Sequence, residues 1–483
     1  MNKKIFIAFV FLLFATILSA DTIKNLNLSK SFSSIPGTPR AVRNGFDHDW
    51  LVAWRQQGAS AKIVGRIVDS DGSAKASKTL ARGVSGASNN FDVFYDSTAY
   101  TFLLAFETAK GLQVQLFTGA LAKKGTATLI EGVTDTMPRL SYDPVAKHFL
   151  IFWLSTLDGT SHKVLKSQVL DESAKPVGSA HVLSQAAAGK TFGSLNVSTN
   201  QKNGSLIVIA ALSDGTSSSL LGFAVKPDGT LLRAKATTFQ STTNGFFAEA
   251  DASFSDAGTG FGLWFDRGAI KFRKMSAKLK FSSTAQSIGN ASIASDPETG
   301  ILFDSRNNQF IGAWSSSNTI QAVVLSPTGS ISKNPFAVFT GASGDAFSDV
   351  ATSYDAQLGN AIVVWETLSA SKFKVQASIF AVGGAATAQG ISIGDDFYSP
   401  NTLTINVGDT VTWTNNGNNH HTITSGNGTP DGLFDSGETT NGQTFSFRFT
   451  VAGTYHFFCQ VHGANVMNGT ITVNDNGEPY PHY

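Results

Sequence analysis

Seven times along the chain a short apolar run interrupts a polar, glycine-rich background. The runs are Trp50-Leu51-Val52-Ala53-Trp54, Phe102-Leu103-Leu104-Ala105-Phe106, Phe149-Leu150-Ile151-Phe152-Trp153, Leu206-Ile207-Val208-Ile209-Ala210, Phe261-Gly262-Leu263-Trp264-Phe265, Phe310-Ile311-Gly312-Ala313-Trp314 and Ala361-Ile362-Val363-Val364-Trp365. None alternates apolar with polar residues, so each reads as a strand covered on both faces. Several are preceded by an aromatic-Asp pair (Phe46-Asp47, Tyr95-Asp96, Tyr142-Asp143, Tyr354-Asp355), whose carboxylates suit tight turns. Several are followed by a second strand and a turn such as Asp69-Ser70-Asp71-Gly72, Pro227-Asp228-Gly229 or Pro327-Thr328-Gly329. A pitch of roughly 50 residues without helical periodicity points to propeller blades. A single blade is too thin to bury its own faces, so the units must stack, and a closed ring leaves no end unit exposed. The expected architecture over residues 21–381 is therefore an all-β propeller of seven blades. Its last repeat stops after Phe380, one outer strand short. Residues 22–34 resemble that strand and are expected to complete the final blade.

The repeat ends before a stretch of small residues, 382–390, which reads as a linker. Beyond it, chemistry is concentrated in Cys459-Gln460-Val461-His462-Gly463-Ala464-Asn465-Val466-Met467. Cys459 is the single cysteine of the 483 residues, so no intramolecular disulfide forms. A thiolate, an imidazole and a thioether on one loop suit an ion that alternates between Cu(I) and Cu(II). A further donor is expected from upstream, where a strand ending Trp413-Thr414-Asn415 leads through a polar turn to His420 and His421. Either imidazole is a candidate, with His421 preferred.

On these residues the segment resembles a plastocyanin-type cupredoxin, a Greek-key β-sandwich that holds one type 1 (blue) copper. Cys459, His462 and Met467 match the family's Cys-x2-His-x4-Met element, and His421-Thr422-Ile423-Thr424 falls where the family places its first histidine. The flanking stretches Phe397-Tyr398-Ser399-Pro400, Val407-Gly408-Asp409-Thr410, Gly432-Leu433-Phe434-Asp435 and Val451-Ala452-Gly453-Thr454-Tyr455 also fit. The resemblance implies a copper-binding domain over 391–474 with His421, Cys459, His462 and Met467 as ligands, followed by a tail, 475–483. It also implies one-electron transfer across an apolar patch around His462, to which Gly463, Ala464 and Val466 would contribute. Phe458 stands where plastocyanins usually carry tyrosine beside the cysteine, so a tyrosine-side electron route is not implied.

Other chemistries find no support. A propeller followed by a cupredoxin is also the layout of nitrous oxide reductase, but that enzyme needs clustered propeller histidines and two cupredoxin cysteines. Here His48, His148, His162 and His181 are scattered and one cysteine is present. No His-x-His pairs exist for a trinuclear copper site, nor a Gly-x-Ser-x-Gly or His-Glu-x-x-His pattern. The chain therefore reads as an electron carrier rather than an enzyme. A near-balanced net charge of +1 argues against a nucleic-acid partner. From residue 388 onward, however, eight acidic residues face one base, Arg448. The rest is basic, so the acidic part either rests against the basic one or steers toward a basic redox protein. Met1-Asn2-Lys3-Lys4, the apolar run Ile5 to Leu18 and Ser19-Ala20 read as a signal peptide over 1–20. This predicts a periplasmic or secreted protein with no membrane span in the mature chain. The alternative reading is an adhesion-type interaction protein whose propeller binds the partner and whose copper is structural or stored.

Overall fold

A computed structural model describes residues 22–474 apart from short internal stretches, among them 45–48, 86–90, 157–161, 291–298 and 382–387. The expected signal peptide, most of the expected linker, the tail, His48 and the Phe46-Asp47 pair lie outside the described residues. Among the described residues every regular element is a strand. No helix there is long and apolar enough to cross a membrane.

Residues 22–381 form seven four-stranded antiparallel sheets. Each of the seven apolar runs lies in the second strand from one edge, as in Asp49–Gln56, Thr101–Thr108 and Asn360–Ser369. The reason these runs lack polar residues is visible in their packing. Successive side chains of a strand point to opposite faces. Leu51 and Ala53 join Phe91, Phe102 and Leu104 of the next sheet, whereas Trp50, Val52 and Trp54 join Ile362, Val364 and Val375 of the last. Each remaining pair of neighbouring sheets shares a core of the same kind.

The first-edge strand of each sheet also touches that of the next, from Gly37–Asn44 round to Ala346–Asp355, which touches Gly37–Asn44 again. The result is a closed, propeller-like ring of seven sheets. The seventh is completed by the chain's own beginning. Strand Thr22–Asn27 pairs antiparallel with Lys372–Ala381 on its outer edge, and Leu28, 2% exposed, fills the core shared by the first and last sheets. Val375 donates its N–H to Ser29 Oγ at 2.9 Å, and Phe32 bridges to Phe373. Residues 22–32, the described part of the segment 22–34, thus supply the missing outer strand, as their sequence predicts.

The aromatic-Asp pairs serve turns. Asp96 accepts the N–H of Ala99, and Asp143 those of Val145 and Ala146. They also tie sheets together: Tyr354 Oη donates to Asp304, and Arg43 lies 3.1 Å from Asp355.

After the ring, two further four-stranded sheets face each other as a β-sandwich. One contains Phe397–Ser399, Ala388–Gly394, Thr410–Asn415 and Thr444–Arg448; the other Thr402–Asn406, Asn468–Asn474, Gly453–Phe458 and Thr424–Ser425. Strand Ala388–Gly394 takes up the last three residues, 388–390, of the stretch that reads as a linker. Between the sheets lie Ile391, Ile393, Val411, Trp413, Phe434, Phe457, Ile471 and Val473, with Cys459 and Met467 at one end.

Candidate metal centre

The loop carrying Cys459 is closed by its own backbone. Gly463 donates to Cys459 O at 2.9 Å, Met467 to Gly463 O at 3.0 Å, and Cys459 to Met467 O at 3.0 Å. Gly463 has φ 76°, in the left-handed region where a glycine is unstrained, and this turns the chain back within four residues. The backbones of Cys459 and Met467 are thus paired and both residues are buried, whereas the His462 side chain, from the same loop, reaches the surface.

His421 arrives from the other loop. Its backbone is paired with Thr439 in both directions, at 3.1 and 2.7 Å, and Asn415 Nδ2 braces the same turn through Asn419 O and Thr439 O. The two loops are stitched at Thr422, a residue the sequence did not single out. Its N–H donates to Cys459 Sγ at 3.3 Å, and its Oγ1 accepts the N–H of Gln460 at 2.8 Å. Tyr398 adds a third anchor by donating its hydroxyl to Thr422 O at 2.5 Å. Burial and the nearby Cys459 push the Tyr398 phenol well above its ordinary pKa, so it stays a donor.

These contacts bring His421, Cys459 and His462 together, with one donor atom from each all within 4.8 Å of one another. Cys459 Sγ lies 3.5 Å from His462 Nδ1, and the two imidazole centroids are 4.9 Å apart. His421 is fully buried, yet neither ring nitrogen has a hydrogen-bond partner. Asp395 Oδ1 stands 4.0 Å from its Nε2, beyond hydrogen-bond reach. Stranding two polar atoms in a core is costly unless something else satisfies them. Burial, and then neighbouring His462, also hold His421 below its ordinary pKa, which keeps the ring neutral as a metal ligand must be. The donor set of two imidazoles and a thiol, with a thioether in the same core, fits copper. His420 is placed differently: it is exposed, and its Nδ1 faces Glu438 at 3.1 Å.

Comparison with known proteins agrees with this geometry. Residues 385–474 match the family model "Copper binding proteins, plastocyanin/azurin family". Plastocyanin of Scenedesmus fuscus is 35% identical over 100 residues, which span 17% of this chain and 93% of that protein. The chain belongs to the plastocyanin/azurin family of copper-binding proteins.

Chloroplastic plastocyanin of Hordeum vulgare is likewise 35% identical, over 104 residues that span 19% of this chain and 67% of the relative. Among solved structures, the purple cupredoxin of Nitrosopumilus maritimus shares 35% identity, covering 18% of this chain and 99% of that one with a TM-score of 0.17. The plastocyanin/azurin match thus embraces the sandwich and leaves the ring of sheets outside it. Within a cupredoxin of this kind, the triad His421, Cys459 and His462 forms a candidate type 1 copper site.

Proposed function

We propose that the chain is an exported one-electron carrier whose sandwich holds a single type 1 copper. His421, Cys459 and His462 would bind it, with Met467 as a weak fourth donor. The bound metal supplies one chemistry, reversible exchange of an electron between Cu(II) and Cu(I). The protein's part is to hold the donors still. The Cys459 loop closes on its own backbone, Thr422 locks it to the His421 loop, and Tyr398 fixes Thr422, so little has to rearrange as the charge changes. The observation that carries the reading is His421: a buried imidazole with two partnerless nitrogens, beside a buried thiol.

Electrons would enter and leave through His462, the triad member that reaches the surface, with a side chain 23% exposed. Val461 and Val466, 49% and 62% exposed, flank it in sequence and supply apolar contact area. The ring of sheets would serve as scaffold or partner-docking surface. The acidic sandwich favours a basic redox partner, and the sequence of residues 1–20 supports a periplasmic or secreted location.

The reading is tested by mixing the copper-loaded full chain with a basic one-electron donor and following the visible band. The band is expected to bleach, return on reoxidation without loss of metal, and bleach more slowly as ionic strength rises. Copper that binds but cannot be cycled would contradict electron transfer and favour a storage or structural role.

A further inference from the structure

His462 has a polar partner that copper binding alone does not require. Its Nε2 lies 3.1 Å from Asp396 Oδ1, on the ring edge away from the Nδ1 that faces Cys459 Sγ. Asp396 comes from another element, the two-residue turn Asp395-Asp396 joining strands Ala388–Gly394 and Phe397–Ser399. That turn is held in place. Asp395 Oδ1 accepts the backbone N–H groups of Asn418 and Asn419 at 2.7 and 2.9 Å. Gly417 packs so closely that a Cβ there would lie 2.5 Å from the same oxygen. Asp396 itself has φ 71°, a left-handed conformation that Asp and Asn adopt more readily than most residues. Two adjacent carboxylates therefore divide the histidine loops between them: Asp395 braces the turn that leads to His421, and Asp396 takes the ring of His462.

A neutral imidazole that binds a metal through Nδ1 carries its proton on Nε2. Asp396 Oδ1, 3.1 Å from that nitrogen, is a carboxylate oxygen close enough to pair with that proton. A carboxylate in this position fixes the ring's plane and tautomer and makes the metal-facing nitrogen a stronger donor. Its negative charge also favours the more highly charged oxidation state of a nearby ion. We propose that Asp396 is a positioning residue that acts through His462 to lower the reduction potential of the site; this rests on the copper reading above. The Asp396 side chain is 56% exposed, so water weakens its field. The expected effect is modest, roughly tenfold in the preference for Cu(II) over Cu(I), or about 59 mV for a one-electron couple.

The test uses the full chain and three variants. Asp396→Gly removes the carboxylate and relaxes the backbone, Asp396→Asn keeps an oxygen acceptor without the charge, and Asp396→Glu restores the charge. All are expected to bind one copper and keep their colour. The potential is expected to rise in Asp396→Gly and, by less, in Asp396→Asn, and to return toward the wild-type value in Asp396→Glu. In the diamagnetic Cu(I) form, a slowly exchanging His462 Nε2 proton should be seen by NMR in wild type and Asp396→Asn and be lost in Asp396→Gly. Potentials unchanged in Asp396→Gly and Asp396→Asn, with copper and colour intact, would overturn this proposal and leave the copper reading standing. A wild-type chain that takes up no copper would overturn both.

Discussion

His420 and His421 are adjacent, and sequence can rank them only by analogy with a motif. The fold separates them by burial, placing one ring in water beside Glu438 and the other in the core with both nitrogens stranded. Such a ring is a liability without metal, which gives a signed prediction. His421→Leu is expected to stabilise the chelator-treated protein, by about 1–3 kcal/mol, because it removes unsatisfied buried polar atoms. Copper should then no longer protect the variant. Denaturant unfolding with and without copper, read by hydrogen exchange in the sandwich, checks both parts, and a less stable metal-free variant would count against the stranded ring. Cys459 and His462 were legible because they share one loop and its spacing, and the same loop carries Met467 into the sandwich core. Thr422, Gln460 and Asp396 were not, since their roles arise only when three separate segments meet, and nothing in Gly394-Asp395-Asp396-Phe397 beyond a turn-forming composition marks it.

At the level of elements, the apolar runs were legible because a strand covered on both faces needs apolar residues at every position. Where the first-edge strands begin, and how they touch round the ring, was not legible. Strands such as Asp251–Phe254 are short and polar enough to pass for loops. The closure was foreseen from a deficit, one strand missing after Phe380 and one spare strand at residues 22–34. Leu28 is the residue to probe, because it is buried between the first and last sheets. Leu28→Ala should cost about 2–4 kcal/mol, as for other large-to-small changes in a core. Local opening is expected to concentrate in Lys372–Ala381, whose outer edge loses its best-anchored neighbour. Uniform change in hydrogen exchange across all seven sheets would contradict a closure held at this seam.

Across the whole molecule, an almost neutral chain divides into a basic ring and an acidic sandwich, and a core between every pair of neighbouring sheets makes the ring a cooperative unit. One buried acid makes that unit sensitive to pH. Glu366 is 2% exposed in the seventh sheet, and burial, followed by the nearby Asp349 carboxyl, pushes its pKa up to about 10. A folded-state value above the unfolded one means that its contribution is intact at acid pH and is lost as pH rises toward about 10. The melting temperature of the ring should therefore fall between about pH 5 and about pH 9, and Glu366→Gln should flatten that slope. Equal slopes in both proteins would remove Glu366 from the account. The central claim, one copper gripped by Cys459 with two imidazoles, is met most directly by titrating copper into the purified full chain and into Cys459→Ser while recording metal content and the visible spectrum. Wild type should take up one equivalent and develop an intense sulfur-to-copper charge-transfer band that the variant lacks. Equal copper content and equal colour in the two proteins would contradict the assignment.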